Sequence, residues 1–349
     1  MKKINLALLF GGASPEYEIS LKSAAAVYRG ICKEKYNITL VGITRDGEWY
    51  CLPEISAEKI EDGTWLCEKK VACTFSVNRA FSGIICDGGE KIDADVVFPV
   101  MHGENAEDGR IQGMCELAGV PCVGPGLAAS AISMDKSLTK LIVEKTGIRQ
   151  AEWVLATKKN FEDRTVIDEV EKKLPYPVFV KPTGTGSSVG ASKASSREEL
   201  KEALSEALRY GGRALVEEFI PAREIETAVL GNDDAIVSVC GEVLSATETY
   251  SYESKYNNSA SKTVIPADIP QDVSDEIRRA AKTIYHAIGC RGLSRVDFFI
   301  NKNTGEIVFN EINTIPGFTS ISMYAKLLAA CGMEFSELLD RIIACALEE

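Results

Sequence analysis

Alternating apolar and polar positions mark a hairpin near the end of the chain, in the segment RVDFFINKNTGEIVFNEINTIPG. Two alternating runs, 296–300 and 307–312, flank an Asn-Thr-Gly turn, which predicts an antiparallel β-hairpin. Side chains two positions apart share one face of a strand, so Glu311 and Asn313 lie together. Asp297 joins them if residue 297 pairs with residue 311.

That face of the hairpin carries two carboxylates and an amide, with Arg295 at its mouth. Such oxygen ligands are too few to enclose a cation alone, and they suit Mg²⁺ that takes its other ligands from water and nucleotide phosphates. A fixed cation at Arg295 could stabilise charge on a transferred phosphoryl group or on a tetrahedral oxyanion. A hairpin with a solvated polar face explains these residues equally well when they are considered alone.

The remaining pattern predicts an α/β protein whose C-terminal part is α+β. Apolar runs predict strands at 4–10, 39–44, 96–100, 178–181, 214–217 and 224–230. Helical periodicity predicts helices at 20–31, 128–145, 161–174, 198–209, 275–288 and 333–347. Most of the stretch from 45 to 93 shows no regular pattern and is expected to be irregular.

Length and charge narrow the class of protein. A chain of 349 residues is long for a single core, so two or three domains are expected, the first closing near residue 130. The balance of 39 basic and 51 acidic residues gives a net charge of −12, which argues against a nucleic-acid or anionic-membrane surface.

Cysteine usage and hydropathy indicate the compartment. The 11 cysteines include no CxxC pair and are expected to be reduced thiols. No segment is long and apolar enough to span a bilayer. Both observations predict a cytoplasmic protein without a membrane partner.

Two turns carry candidate ligand-binding residues. Glu16 follows the Gly11-Gly12 turn at the end of the first strand, where α/β folds place ligands. A carboxylate at a helix start also interacts favourably with the helix dipole, and local evidence favours that simpler role. His102 ends the strand 96–100, and either a ligand contact or a structural hydrogen bond would explain it.

A glycine-rich loop follows Lys181 and reads TGTGSSVG. Its backbone N–H groups and the hydroxyls of Ser187 and Ser188 could close over phosphate oxygens, with Lys181 as a nearby charge. The loop is not a Walker A motif, and a flexible surface loop is the alternative. Farther on, Glu217 and Glu224 are candidate anchors for adenine and ribose, although acidic residues on strands more often face water.

The segment 247–262, TETYSYESKYNNSASK, is polar and has no periodicity. A loop of this length inside a compact domain is usually a lid or a binding loop. Lys255 and Tyr256 are its candidate chemical residues.

In this order the motifs resemble those of the D-alanine:D-alanine ligase family of the ATP-grasp superfamily. The matching segments are LFGGASPEYEISL, MHGENAEDGRIQG, SMDK, FVKPTGTGSSVG, VEEFIPAREIE, ESKY, SRVDFF and FNEINTIPGFTS. The resemblance implies three domains, with ATP between the second and third. Their expected bounds are 1–130, 131–218 and 219–349, with the lid loop 247–262 in the last.

For nucleotide and metal, the resemblance implies two sets of residues. The nucleotide set is Lys136, Lys181, Ser187, Ser188, Glu217 and Glu224. In this set the lysines face the phosphates, and the glutamates face adenine and ribose. The metal set is Asp297, Glu311 and Asn313, which match the ligands of two Mg²⁺ ions, with Mn²⁺ as an alternative ion.

For the substrates, the resemblance implies that Glu16 holds the ammonium of the first D-amino acid, with His102 nearby. Lys255 and Ser322 match the groups at the carboxylate of the second, beside Met323.

For the chemistry, the resemblance implies that Arg295 and the backbone N–H of Gly317 stabilise a tetrahedral intermediate. Tyr256, Ser187 and Glu16 match a hydrogen-bonded set that latches the lid.

The implied reaction joins two D-amino acids through an acyl phosphate made from ATP, most simply D-alanyl-D-alanine for peptidoglycan precursors. A homodimer is expected from the family. Three departures concern Ala106, where the family usually has Gly, Ile321, where it usually has His, and Met323. At the last position strict D-alanine enzymes usually have an apolar residue such as Leu and D-serine relatives usually have Arg, so Met is closer to the D-alanine type.

Two alternatives stay open. Segments such as GITRDGEWY look more like the D-alanine:D-serine ligases of glycopeptide resistance. A non-catalytic nucleotide-binding protein that kept the ATP-grasp shell is the other alternative. The Lys255-Tyr256 pair argues against the D-lactate relatives.

Overall fold

The computed structural model describes residues 2–186, 189–244 and 262–348, and three β-sheets organise them. The first sheet has the strand order β6-β5-β4-β3-β2-β1-β7. Its strands are β1 (Ile4–Gly11), β2 (Tyr36–Ile43), β3 (Trp49–Leu52), β4 (Val71–Ser76), β5 (Gly83–Cys86), β6 (Lys91–Asp93) and β7 (Val96–Val100). Its helices are α1 (Tyr17–Gly30), α2 (Ala57–Glu61), a 3₁₀ helix (Thr64–Cys67) and α3 (Arg110–Ala118).

The centre of this sheet is parallel, since β1 pairs in parallel with both β2 and β7. All five residues of β7 are buried, as expected of a central parallel strand. The expectation of an irregular stretch up to residue 93 was wrong, because β3 to β6 extend the sheet with antiparallel pairs. These strands are only three to six residues long, and most residues of β3, β4 and β6 are partly or fully exposed, so their apolar pattern is weak.

Two helices link the first sheet to the second, α4 (Leu127–Met134) and α5 (Lys136–Glu144). The sequence predicted one continuous helix here, which is wrong at Asp135. The Asp135 carboxylate accepts the N–H groups of Ser137 and Leu138 at 3.0 and 3.3 Å and so starts α5. An N-cap of this kind competes with helix continuation, because it holds its own backbone outside the helical region.

The second sheet is fully antiparallel with the order β10-β9-β11-β8. Its strands are β8 (Trp153–Thr157), β9 (Val178–Pro182), β10 (Ser192–Ala194) and β11 (Arg213–Glu218). Its helices are α6 (Lys158–Glu162), α7 (Thr165–Lys173) and α8 (Arg197–Ala207). Apolar residues of α7 and α8 pack against the strands in one core. The predicted helix 161–174 is divided at Arg164, which has a φ of 61°.

The third sheet is also antiparallel, with the order β14-β13-β12-β15-β16. Its strands are β12 (Ala222–Leu230), β13 (Ile236–Leu244), β14 (Lys262–Val264), β15 (Leu293–Asn301) and β16 (Ile307–Asn313). Its helices are α9 (Gln271–Ile288), α10 (Met323–Ala329) and α11 (Phe335–Leu347). Among the helices of the described ranges, none is both long and apolar enough to cross a membrane.

The predicted hairpin is confirmed as β15 and β16. Asp297 pairs with Glu311 and Arg295 pairs with Asn313, which is the register that the alternation indicated. A bulge follows Asp297, where the register shifts by one residue. The bulge restores the apolar alternation beyond the polar end, so Phe298 pairs with Phe309 inside the core.

The largest core cluster joins the first sheet to the C-terminal helices. Phe318 lies at its centre, with its ring centroid 6.0 Å from that of Phe98 on β7 and 6.1 Å from that of Tyr324 on α10. Edge-to-face contacts of this kind fix the relative position of the elements that carry them. The end of the hairpin is thereby packed against the first sheet.

Candidate active site

A row of three carboxylates crosses three adjacent strands of the third sheet. Glu226 on β12 pairs with Asp297 on β15, and Asp297 pairs with Glu311 on β16. Asp297 is only 7% exposed. Three acidic groups in one partly buried row require cations, because like charges directly opposite each other repel.

Arg295 supplies one of these cations. Its Nε and one terminal nitrogen donate to the two oxygens of Asp297 at 2.8 and 2.7 Å, and its Nε lies 3.0 Å from Oε2 of Glu226. Burial alone would lower the pKa of Arg295, but Asp297 and Glu226 hold it well above its ordinary value. The guanidinium is therefore a permanent, preorganised positive charge.

The donor set fits a hard divalent cation such as Mg²⁺. Asp297, Glu311 and Asn313 offer only oxygen ligands, and the Asn313 amide nitrogen donates to Asp297 at 3.0 Å. Within residues 2–186, 189–244 and 262–348, no three acidic, His or Cys side chains converge into a closed metal cage. An incomplete set is what Mg²⁺ uses when nucleotide phosphates and water complete its shell.

A cavity of about 490 Å³ lies between the second and third sheets, beside this row. Charged side chains from α5 and from both sheets line it, among them Lys136, Lys140, Lys181, Glu217, Glu224 and Glu311. Aromatic residues line the rest, among them Phe179, Phe219, Phe299 and Phe309. A cavity that combines flat apolar walls with convergent lysines suits a purine nucleotide with its phosphates.

Two lysines form ion pairs with Glu217 inside this cavity. The ammonium groups of Lys140 and Lys181 lie 2.7 Å from its two carboxylate oxygens, and Lys140 also donates to the Ala151 carbonyl at 3.2 Å. All three residues are at most 9% exposed. Burial alone would raise the pKa of Glu217, but the two ammonium groups lower it, so the carboxylate stays ionised. Burial also lowers the pKa of Lys140.

Lys136 lies where the glycine-rich loop meets the hairpin. Its ammonium donates to the Thr185 carbonyl at 2.7 Å and is 3.9 Å from Oε2 of Glu311. Its backbone N–H donates to the Thr183 carbonyl at 2.9 Å. The start of α5, the loop after β9 and the end of β16 are thus joined at one point.

Four of the predicted site residues cannot be placed. Ser187, Ser188, Lys255 and Tyr256 lie outside the described residues, as does nearly all of the loop 247–262. The phosphate-binding hydroxyls, the lid and the latch remain predictions from sequence.

Glu16 stands where the first sheet approaches the glycine-rich loop. A Cβ atom built on Gly103 would lie 2.5 Å from Oε2 of Glu16, and one built on Gly186 would lie 3.5 Å from it. Only glycine at 103 leaves room for the carboxylate. Glu16 is the residue immediately before α1. Its carboxylate therefore lies beside the glycine-rich loop that follows β9.

A second carboxyl, Glu107, lies beside Glu16. It accepts the Gly103 N–H at 3.1 Å. Burial and the charge of Glu16 raise the pKa of Glu107 to about 8. Two adjacent carboxyls thus hold a proton readily, and a substrate ammonium would find a strongly negative site when both ionise.

His102 is engaged by protein on both ring nitrogens. Nε2 lies 3.0 Å from Oγ of Ser23, and Nδ1 lies 3.2 Å from the Ile315 carbonyl. His102 is 6% exposed, and burial lowers its pKa. The structural hydrogen bond considered in the sequence analysis is thus present, and its partners join the first sheet to the segment after the hairpin.

Gly317 and Ser322 touch at the other end of the site. A Cβ on Gly317 would lie 2.7 Å from Oγ of Ser322, and that oxygen accepts the Thr319 N–H at 3.1 Å. Met323 is 5% exposed, and a Cβ on Gly241 would lie 2.5 Å from its methyl group. Ile321 is 59% exposed. The departures at Met323 and Ile321 therefore differ in environment, because Met323 is in the core and Ile321 is on the surface.

Two family models match the chain, described as the D-ala D-ala ligase N-terminus over residues 5–125 and C-terminus over residues 142–344. The chain belongs to the D-Ala-D-Ala ligase family. It is 47% identical to the D-alanine–D-alanine ligase of Clostridium acetobutylicum over 99% of this chain and 98% of that protein. It is also 47% identical to the ligase of that name from Ruminiclostridium cellulolyticum, over 100% of this chain and 96% of that one.

Solved structures of the family share the fold. The VanG D-Ala:D-Ser ligase from Enterococcus faecalis matches with a TM-score of 0.92 and 41% identity, over 99% of this chain and 100% of that one. The D-alanine-D-alanine ligase from Coxiella burnetii matches with a TM-score of 0.86 and 32% identity, over 99% and 94%. The predicted ATP-grasp fold is confirmed.

The sequence did not point to four residues of this candidate site: Ser23, Glu107, Lys140 and Glu226. Lys140 lies one helical turn after Lys136, and Glu226 follows Glu224 on the same strand face, so periodicity could have found both. Glu107 lies in the segment HGENAEDGRIQG, which also contains His102. Ser23 had no local signal, because its partners are far away in sequence.

Proposed function

We propose that the protein is an ATP-dependent D-alanine:D-alanine ligase that makes a peptidoglycan precursor in the cytoplasm. One observation carries the proposal: Glu311 lines a cavity rich in lysines, 3.9 Å from the Lys136 ammonium, and its strand partner Asp297 is bonded to Arg295. This arrangement supplies preorganised charge for phosphoryl transfer. Membership of the ligase family supports it.

In the first step, an oxygen of the first D-alanine carboxylate attacks the γ-phosphorus of ATP, and ADP leaves. Lys136 and Lys181 neutralise phosphate charge, and Glu16 holds the substrate ammonium. Divalent metal ions held by Asp297, Glu311 and Asn313 would neutralise the transferred phosphoryl group. We propose two ions, with Mn²⁺ able to replace Mg²⁺.

In the second step, the amine of the second D-amino acid attacks the acyl carbon and loses a proton. The bond between the acyl carbon and the bridging oxygen then breaks, and phosphate leaves with that oxygen. Arg295 and the Gly317 N–H stabilise the tetrahedral oxyanion. Ser322 binds the acceptor carboxylate together with Lys255. Closure of the loop 247–262, latched through Tyr256, Ser187 and Glu16, excludes water from the acyl phosphate.

We propose D-alanine as the acceptor on the basis of Met323. Its apolar side chain is buried against Gly241 and offers a serine hydroxyl only a weak sulfur acceptor. A D-alanine:D-serine ligase is the second candidate, because the VanG enzyme of that type has a TM-score of 0.92 with this chain. Competition between D-alanine and D-serine, with each dipeptide identified by mass, decides between them. A dominant mixed dipeptide would overturn the choice of D-alanine.

We propose the domain bounds 1–130, 131–218 and 219–349, and a homodimer. These bounds agree with the three sheets, whose strands occupy 4–100, 153–218 and 222–313. Limited proteolysis should cut first near the proposed bounds, and light scattering gives the mass in solution.

The Glu311→Gln variant tests the catalytic assignment. It keeps size and polarity but removes a charged ligand, so MgATP-dependent phosphate release with D-alanine should be abolished. The control is Glu306→Gln at the turn of the same hairpin, where the side chain is 46% exposed. Near-normal turnover of Glu311→Gln would refute the metal assignment. Absence of ADP and phosphate with the native chain would instead favour a non-catalytic nucleotide-binding protein.

A further inference from the structure

The segment after the hairpin, residues 314–318, carries Gly317 and is called the Gly317 loop below. Thr314, Ile315 and Phe318 in this loop are each 2% exposed. The Phe318 ring anchors the loop in the core, but a ring contact does not by itself set the direction of the backbone N–H groups. Hydrogen bonds must do that.

Two such bonds come from a histidine and a serine of the N-terminal part of the chain. Nδ1 of His102 lies 3.2 Å from the Ile315 carbonyl, and the Phe318 N–H donates to Oγ of Ser23 at 3.2 Å. A third bond joins the two side chains, since Oγ of Ser23 lies 3.0 Å from Nε2 of His102. The three bonds make a closed bridge from α1 and β7 to the loop.

The chemistry of the partners fixes every proton in this bridge. The Ile315 carbonyl can only accept, so Nδ1 of His102 carries the proton. Nε2 of the neutral ring is then an acceptor, and the Ser23 hydroxyl donates to it while accepting the Phe318 N–H. Ser23 is fully buried and His102 is 6% exposed. Burial disfavours the imidazolium and lowers the pKa of His102, although Glu16 opposes this.

The bridge holds the backbone on both sides of Gly317. Its anchor points are the carbonyl of Ile315 and the N–H of Phe318, and the peptide that bears the Gly317 N–H lies between them. A Cβ on Gly317 would lie 3.8 Å from Oγ of Ser23. The serine hydroxyl is thus packed against the very residue whose N–H direction matters.

We propose that Ser23 and His102 are positioning residues that aim the Gly317 N–H at the tetrahedral oxyanion of the ligation step. This inference rests on the proposed function for the role of that N–H. It assigns His102 a task distinct from contact with the first substrate, and it gives Ser23 a task in catalysis.

Ser23→Ala tests the inference through a difference between kcat and KM. Loss of the hydroxyl frees the Phe318 N–H, so kcat for dipeptide formation should fall about tenfold, less than the loss expected for deleting an oxyanion donor. KM for ATP should stay within about twofold, because the cavity between the second and third sheets is untouched. A phosphinate dipeptide analogue, which mimics the tetrahedral intermediate, should lose affinity by the same factor as kcat, while ADP affinity stays unchanged.

The matched control is Ser130→Ala. Ser130 is also fully buried, and its hydroxyl donates to the Pro125 carbonyl at 3.1 Å, outside the proposed site. Its loss should lower Tm as Ser23→Ala does but leave kcat and analogue affinity unchanged.

Histidine variants keep the test independent of the folding of Ser23→Ala. In His102→Asn the amide nitrogen replaces Nδ1 and can still donate to the Ile315 carbonyl, whereas His102→Ala cannot. Asn should therefore retain several-fold more kcat than Ala at equal ATP KM.

Two results would overturn the inference. The first is an active native enzyme whose Ser23→Ala variant keeps its kcat and its analogue affinity. The second is a fall in Tm and kcat with unchanged analogue affinity, which would indicate a purely structural role. An inactive native chain would overturn the proposed function itself and this inference with it.

Discussion

The hairpin β15–β16 and the Gly317 loop are adjacent in sequence and serve the same proposed site, yet they are held in opposite ways. The hairpin positions charge: Arg295 lies between Glu226 and Asp297, and sheet pairing sets the spacing. The Gly317 loop positions a neutral backbone N–H through hydrogen bonds to Ser23 and His102. One region is organised by local register, the other by contacts from the opposite end of the chain.

The difference teaches where each kind of catalytic group can be built. Charged side chains tolerate some movement, because electrostatic attraction falls slowly with distance. A backbone N–H acts only over hydrogen-bond range and in one direction. Its position therefore requires a more rigid support, which the neutral buried bridge provides without adding charge beside the oxyanion.

Replacing Arg295 should have the largest effect. Arg295→Lys keeps the positive charge but loses the bidentate hydrogen bonding to Asp297, so kcat should fall about 10²-fold or more. Phosphate release at saturating substrates measures it. The control is Arg223→Lys. It removes a similar bidentate pair of hydrogen bonds, from the Arg223 guanidinium to the Glu242 carboxylate oxygens at 2.7 and 2.6 Å, and the variant should keep most of its activity. Equal losses in the two variants would contradict the catalytic role of Arg295.

The second-largest effect is expected for Gly317→Ala, which changes the Gly317 loop. The added Cβ would lie 2.7 Å from Oγ of Ser322, so loop or serine must shift, and kcat should fall about tenfold. Gly113→Ala is the control, because its Cβ meets only the side chain of Leu127, which is 41% exposed and free to move. Steady-state kinetics at fixed ATP compares them, and full activity of Gly317→Ala would remove the backbone donor from the mechanism.

Lys140→Met probes buried charge in the nucleotide cavity. Removing one partner of Glu217 leaves the carboxylate with Lys181 alone, which costs about 3–5 kcal/mol of stability for a buried pair. Tm should fall and KM for ATP should rise several-fold. Lys145→Met, at the exposed end of the same helix, should change neither. An unchanged ATP KM would show that Lys140 acts on stability alone.

The smallest effect concerns Glu107 and pH. Its pKa in the folded chain is raised from 4.5 to about 8, so the folded state binds the proton more tightly than the unfolded state. Stability is then lost as pH rises from about 4.5 to about 8. Glu107→Gln stays neutral, so its Tm should decline less over that window. The control is Glu104→Gln, because the Glu104 side chain is 65% exposed, and its Tm should follow the pH profile of the native protein. If Glu107→Gln also followed the native profile, the raised pKa of Glu107 would be contradicted.

The hairpin could be predicted from sequence because its determinants are local. Alternation, a turn and one assumed pair placed Asp297 opposite Glu311, and the structure has that pair. The prediction did not include Glu226, because the neighbour of β15 on its other side is β12, far away in the chain.

The Gly317 loop shows what local pattern cannot give. Ser23 and Phe318 are 295 positions apart, and no periodicity links them. Their contact depends on how the C-terminal helices pack on the first sheet. Strands β3 to β6 were missed for a different reason, because they are only three to six residues long and show too weak an alternation. The break between α4 and α5 at Asp135, by contrast, has a local cause, because aspartate is a common N-cap residue and could have been recognised in the sequence.

The most direct test of the account follows one oxygen atom. The protein is given MgATP and D-alanine with both carboxyl oxygens replaced by ¹⁸O, and phosphate and dipeptide are analysed by mass. If the carboxylate attacks ATP and phosphate leaves from the tetrahedral intermediate, each released phosphate carries one ¹⁸O and phosphate equals dipeptide in amount. Unlabelled phosphate, or labelled phosphate without dipeptide, would contradict the proposed ligation.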